Sequence, residues 1–283
     1  MEIIKNSKAV IQINKNNDLK VVDIGIPKPE SQQLVVKMIS SGVCHSQLNQ
    51  LKHPELNRPL LLGHEGYGVV IELGDDIEDI VEGDYVILTW IPCDQKNIVK
   101  NNRPIKVKYN NNLIETNLFT WSEYSITDIN HIIKVPKDKG YENKHNCIIG
   151  CPVPAGAGAV MNTAQVKEGE SVAVFGMGGV GLSAVLMSSV LKADPIIAVD
   201  IEIRKRQLAK DLGATHFINA DECNPIEEIR LITGNGVDYA FHATASRTTA
   251  ELILKCTRGG GPGSNNTGGM AIMVGTSGLE VTL

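Results

Sequence analysis

The stretch VAVFGMGGVGLSAV, Val172 to Val185, decides how the second half of this chain folds. Four apolar residues, two of them β-branched, read as a strand, three glycines at 176, 178 and 181 follow, and the apolar run Leu182 to Leu191 reads as a helix. Each glycine has a separate task in such a unit. Gly176 permits the tight turn, Gly178 lets a bound group approach the backbone, and Gly181 lets helix and strand pack closely. A helix N-terminus offers unpaired amides and the positive end of its dipole, a cradle for pyrophosphate to which Gly179 and Val180 also belong. A glycine pattern alone arises by chance; its place between strand and helix gives it weight.

Outward from this unit the pattern repeats, with strands expected at 172–175, 196–199, 216–218, 237–241 and 271–274 and helical segments between them. That alternation implies a parallel sheet with helical crossovers. Asp200 ends the second strand, nineteen residues past Gly181. A carboxylate there accepts both hydroxyls of an adenosine ribose and repels a 2′-phosphate, so the expected cofactor is NAD rather than NADP. Arg204 and Lys205 stand close enough to soften the repulsion, and Lys205 is counted with the cofactor site. The first half reads differently. Short apolar or alternating runs at 10–13, 19–24, 34–39, 69–73, 85–88 and 132–135, separated by turn residues, imply an irregular β-rich domain. The boundary falls in the small-residue stretch CPVPAGAGAV, giving domains of 1–152 and 153–283 in an α/β protein without internal repeats.

At 283 residues the chain exceeds one ordinary core, in keeping with two domains. A net charge of -5 argues against a nucleic-acid binder, which needs a basic surface. The N-terminus lacks an apolar signal core and no run approaches a membrane span, so the expected location is cytoplasmic. The six cysteines lack the spacing of a disulfide framework and read as thiols. Cys223 and Cys256 read as inert, and Cys147, in an apolar run, as packing. Cys44, His64 and Cys151 offer the two sulfurs and one imidazole that a three-ligand catalytic zinc takes, although their spacing alone does not join them.

The stretches GVCHSQ (Gly42 to Gln47), GHEGYGVVIELGDDI (Gly63 to Ile77) and EGDYV (Glu82 to Val86), with Cys151 and the GMGGVG loop, resemble the zinc-containing alcohol dehydrogenases of the medium-chain dehydrogenase/reductase superfamily. The resemblance runs from about residue 8 to the last residue. It implies a GroES-like barrel followed by a Rossmann doubly wound sheet, with the active site in the cleft between them. It also implies one catalytic zinc on Cys44, His64 and Cys151, with Glu65 behind the metal. Ser46 would be the hydroxyl that receives the substrate proton, and His45 a basic contact to the pyrophosphate. Trp90 would line the substrate pocket or serve as a core aromatic, and Val274 and Thr276 would offer backbone contacts to the cofactor. The expected substrate is a small alcohol, or an aldehyde or ketone in reverse.

Several positions depart from that pattern. Asn49 stands where many relatives carry the histidine that ends the proton relay, so His53 or bulk water is expected to take the proton, and replacing His53 is expected to alter the pH dependence of turnover. Gln47 replaces a frequent aspartate, which changes the support of the metal. Between Ile91 and Thr120 only Cys93 remains of a four-cysteine structural zinc site. Instead IKVKY, three asparagines and LIETN read as a hairpin flap made basic by Lys96, Lys100, Arg103, Lys106 and Lys108. The sheet is expected to lack its last strand, and an apolar edge left open invites association into a homo-oligomer. The long glycine-rich connection Gly259 to Gly269 is unusual as well. Two functions follow: a zinc- and NAD-dependent alcohol dehydrogenase, or a noncatalytic zinc- and dinucleotide-binding protein. A zinc-free quinone reductase would have no use for the two cysteines and the histidine together.

Overall fold

The structure is a computed structural model that describes residues 1–14, 19–53, 59–93, 104–137, 143–260 and 268–275. The chain divides into two compact units, Met1–Cys151 and Pro152–Leu283. Thr276, Lys96, Lys100 and Arg103 lie outside the described residues.

The first unit contains β1 (Ile3–Gln12), β2 (Leu19–Pro27), β3 (Gln33–Ser41), α1 (His45–Lys52), β4 (Leu60–Leu61), β5 (Glu65–Leu73), β6 (Tyr85–Thr89), β7 (Ile105–Tyr109), β8 (Asn112–Thr116), β9 (Tyr124–Asp128) and β10 (Ile132–Lys134). They form two antiparallel sheets, ordered β4-β1-β2-β7-β8 and β10-β6-β5-β3-β9. Alternation along the strands sends Ala9, Ile11, Ile24, Ile26, Val35 and Ile126 into one shared core. The isoleucines and the valine among them, when fully buried, each contribute about 1.5–3 kcal/mol. The flap is the expected hairpin: Tyr109 pairs with Asn112, and Asn110 takes the positive φ that a tight two-residue turn requires.

The second unit begins with α2 (Pro152–Gly158), which continues as a π-helical turn, Ala159–Ala164. Then come β11 (Val172–Phe175), α3 (Gly179–Val190), β12 (Ile196–Asp200), α4 (Arg206–Asp211), β13 (His216–Asn219), α5 (Pro225–Thr233), β14 (Tyr239–His242), α6 (Arg247–Cys256) and β15 (Met270–Met273). Among the described residues the sheet is parallel, in the order β13-β12-β11-β14-β15. This is a doubly wound order, and it puts a topological switch point beside the C-terminal end of β11. Val172 and Val174 belong to one apolar cluster, Ala173 and Phe175 to another, so both faces of β11 are buried. That explains its continuous apolar run.

The helix starts at Gly179, three residues earlier than the apolar run suggested, because the last two glycines of the loop already occupy its first turn. β14 starts later than expected; Val237 makes only an isolated bridge to Thr257. Gly181 packs against the loop itself: a Cβ there would collide with the Gly176 carbonyl, which is backbone and cannot yield cheaply. Gly178 is different, since an added Cβ would meet nothing within 4 Å. Gly181→Ala is therefore expected to lose about 1–3 kcal/mol in urea unfolding. Gly178→Ala should leave the midpoint unchanged; equal midpoints for both variants would contradict the packing described.

Candidate functional site

Three elements of the first unit bring Cys44, His64 and Cys151 together, with their ligand atoms within 4.8 Å of one another. Cys44 is the N-cap of α1, where the exposed amides of the first turn favour a thiolate. His64 lies in the turn between β4 and β5, after Gly63, whose φ of 94° few other residues adopt. Cys151 ends the 3-10 helix Lys144–Gly150. Gly150 backs onto Leu88 and Glu65 where no Cβ fits, and Thr89 Oγ1 donates to the Gly150 carbonyl at 2.7 Å. The two sulfurs are 3.9 Å apart. Two zinc–sulfur bonds of about 2.3 Å at a tetrahedral angle require about 3.8 Å. His64 Nε2 is buried without a hydrogen-bond partner, so a nitrogen suited to coordination is left for that role.

The electrostatics fit a cation. A hydrogen bond from Cys151, helped by His64 and Ser46, holds the Cys44 thiol far below its ordinary range. The same contact, then burial, pushes Cys151 far above it. The pair therefore keeps one proton and one negative charge. Ser46 Oγ donates to Cys44 Sγ at 3.2 Å. Glu65 is buried with Oε2 unpartnered, and burial, reinforced by the Cys44 charge and opposed by His64, raises its pKa to about 7. Gly42 accommodates this carboxyl, since a Cβ there would lie 2.5 Å from Glu65 Cδ.

Trp90 is not a core aromatic. It is 54% exposed, its ring is 6.3 Å from that of His64, and it hydrogen-bonds the Cys151 side chain. His45 is exposed at the start of α1. His53 is the C-cap of the same helix, seven residues from Ser46 and so about 10 Å along the axis. His53, which with bulk water was expected to take the relay proton, thus stands at the opposite end of the helix from Ser46.

In the second unit, Gly176 adopts a φ of 98°, and the N-cap of α3, Gly178, carries no capping side chain, so the first-turn amides are open to a ligand. Gly179, Val180 and Gly181 form that first turn. Asp200 accepts from Met177 N at 2.6 Å and Glu202 N at 2.9 Å, and pairs with Lys205 at 3.0 Å. Burial works against its charge, but these donors outweigh it and hold the carboxyl below its usual range. Lys205 is thus a direct partner of Asp200, beyond the softening role read from sequence. Val274 N donates to His242 O at 3.0 Å, which leaves only its carbonyl for a cofactor.

Sequence reasoning missed the polar support of the metal cluster. Gln47 touches Gly63, Gln50 and His64, and Trp121 Nε1 holds the Gly42 carbonyl at 2.9 Å. Only the unusual glutamine pointed that way. Cys147 packs with Tyr67 and Ile87 as expected, whereas Cys256 is buried and Cys223 exposed. Among the described residues no single helix is long and apolar enough to cross a membrane.

Comparison with known proteins agrees with this geometry. The family described as Alcohol dehydrogenase GroES-like domain matches residues 30–137, and that described as Zinc-binding dehydrogenase matches 179–265. An S-(hydroxymethyl)glutathione dehydrogenase of Synechocystis is 32% identical, covering 96% of this chain and 78% of its own length. Among solved structures, an alcohol dehydrogenase zinc-binding domain protein from Burkholderia ambifaria superposes with a TM-score of 0.85 at 28% identity, over 98% of this chain and 79% of that one. Benzyl alcohol dehydrogenase from Acinetobacter calcoaceticus gives 0.79 at 27%, over 97% and 84%.

The raised pKa of Glu65 carries a stability consequence in the metal-free protein. A carboxyl that titrates near 7 when folded and near its ordinary 4.5 when unfolded binds more protons in the folded state between those values. Its contribution is fully present below about pH 4.5 and is lost as pH rises through 7, a change on the order of 3 kcal/mol. Metal-free Glu65→Gln should therefore outlast the wild type in urea at about pH 8, with the difference closing towards about pH 5. A pH-independent difference would contradict the assignment.

Proposed function

Since the chain belongs to the zinc-containing alcohol dehydrogenase family, we propose that it oxidises a small alcohol to an aldehyde or ketone at the Cys44–His64–Cys151 cluster, with NAD as the hydride acceptor. The observation that carries this reading is the cluster itself: two sulfurs at tetrahedral separation and a buried imidazole nitrogen with no other partner. Cys44, His64 and Cys151 would hold the zinc. The loop from Gly176 to Gly181, with Asp200 and Lys205, would hold the dinucleotide, its open amides facing the phosphates. Bound there, zinc supplies a Lewis acid for the substrate oxygen and the nicotinamide a site for hydride.

The chain's own residues handle the rest. Ser46 Oγ stands beside the metal cluster and is the hydroxyl to which the substrate proton passes. In this structure that hydroxyl donates to Cys44 Sγ at 3.2 Å, so a substrate oxygen must displace the bond and make Ser46 an acceptor. From Ser46 the proton leaves to water, because Asn49 offers no base and His53 is at the far end of α1. Glu65 places a carboxylate behind the cluster, and Trp90 covers the side next to His64 and Cys151. His45 is an exposed basic side chain that would contact the pyrophosphate. The substrates of the relatives, a glutathione adduct in one and benzyl alcohol in another, span too wide a range to assign one here.

The test is to measure zinc per chain, NADH binding and oxidation of a panel of small alcohols on one purified sample. Wild type should hold one zinc, bind NADH and turn over. Ser46→Ala should keep both ligands and lose about 10²–10⁴-fold in kcat. Metal and cofactor with no turnover in the wild type would select the noncatalytic reading. Full activity in Ser46→Ala would remove that hydroxyl from the mechanism.

A further inference from the structure

Gln47 has no part in the steps above, yet it is only 3% exposed and touches the metal cluster. Its carboxamide oxygen accepts the Gly63 backbone N–H at 2.5 Å. Its nitrogen lies 2.5 Å from Gln50 Oε1 and 3.1 Å from His64 Nδ1. A carboxamide nitrogen only donates, so Nδ1 must be the acceptor, and the proton of a neutral ring then sits on Nε2. Nε2 is the buried, unpartnered nitrogen available to a metal, and coordination requires a lone pair there.

Turning the carboxamide over does not resolve the conflict. Its oxygen would then accept from a protonated Nδ1, but its nitrogen would face the Gly63 N–H, which is fixed in the backbone and also donates. Gln50 can turn its own amide; Gly63 cannot. In the tautomer that coordination requires, Nδ1–H and Gly63 N–H are two buried donors, and a neutral carboxamide in this position satisfies one of them. The other is left facing a donor, at the cost of an unmade buried hydrogen bond. A carboxylate would accept both.

We propose that Gln47 is a positioning residue that holds His64 in the tautomer opposed to coordination, and so makes zinc at this site weaker and more exchangeable than its ligand set allows. This rests on reading the Cys44–His64–Cys151 cluster as the metal site. It goes beyond that reading in assigning the control of affinity to an uncharged side chain that touches no ion.

Two measurements on the full chain test it. In the first, zinc affinity is determined by competition with a chromophoric chelator for wild type, Gln47→Glu and Gln50→Glu. Gln47→Glu should bind about 10–100-fold more tightly. Gln50→Glu adds the same charge one helical turn away without giving His64 an acceptor, and should gain about fivefold at most. Unchanged or weaker binding in Gln47→Glu, or an equal gain in both variants, would overturn the proposal. The second needs no variant and decides the matter should Gln47→Glu fail to fold: nitrogen-15 NMR of the metal-free wild type, at a pH where imidazoles are neutral. His64 should carry its proton on Nε2; a proton on Nδ1 overturns the proposal. Zinc binding by none of the three proteins would instead remove the metal site on which it rests.

Discussion

The carbonyl oxygen of Glu65 is the point on which the metal cluster depends. It accepts from Gly42 N at 3.2 Å, Ser41 Oγ at 2.9 Å and Thr120 Oγ1 at 3.1 Å. One acceptor thus ties β3, the first residue of β5 and the segment ahead of Trp121. Each ligand stands close to this anchor: Cys44 two residues after Gly42, His64 immediately before Glu65, and Cys151 after Gly150, which rests on the Glu65 backbone. The ligands are therefore brought together by hydrogen bonds and packing that form without an ion. A site held by strands and a packed glycine keeps its geometry better than one gathered from loops.

The nucleotide loop follows the same rule on a different scaffold. Met177 N is held by Asp200 from the neighbouring strand, and Gly181 closes against the Gly176 carbonyl. The loop cannot widen without breaking one contact or relieving the other. Ordering it in advance removes an entropy cost that a ligand would otherwise bear. In the proposed cofactor site Asp200 would have a double role, since the carboxylate assigned to the ribose also fixes the loop through Met177 N. The doubly wound order places both at the switch point beside β11.

The parts legible in the sequence were those that a local pattern encodes. β11 and its loop could be read because an unbroken apolar strand followed by spaced glycines has few other uses, and the hairpin of β7 and β8 because asparagines mark a tight turn. Cys44, His64 and Cys151 were different. They lie 20 and 87 residues apart, and only the resemblance of the motifs around Gly42 and Gly63 joined them before their atoms were seen within 4.8 Å. What stayed hidden depends on contacts across space. Nothing local places Gln47 against both Gly63 and His64 or turns Trp90 outward towards Cys151. The early start of α3 escaped because glycine is a poor helix former, and here packing overrides propensity.

The cluster also shows how a cation site limits its own charge without its cation. The two sulfurs share one proton, held on Cys151, while burial keeps Glu65 protonated up to about pH 7. Two protons thus occupy a pocket whose groups could otherwise carry three negative charges, two from sulfur and one from the carboxylate. A divalent ion supplies the charge that those protons supply in its absence, so loading the site must release protons and becomes more favourable as pH rises. Glu65 can then ionise beside the metal, turning a costly buried carboxyl into a stabilising one. In this balance an uncharged Gln47 keeps a fourth negative charge out of the pocket. That limits the repulsion the metal-free fold must carry, and the same choice leaves His64 without an anionic partner for its Nδ1 proton.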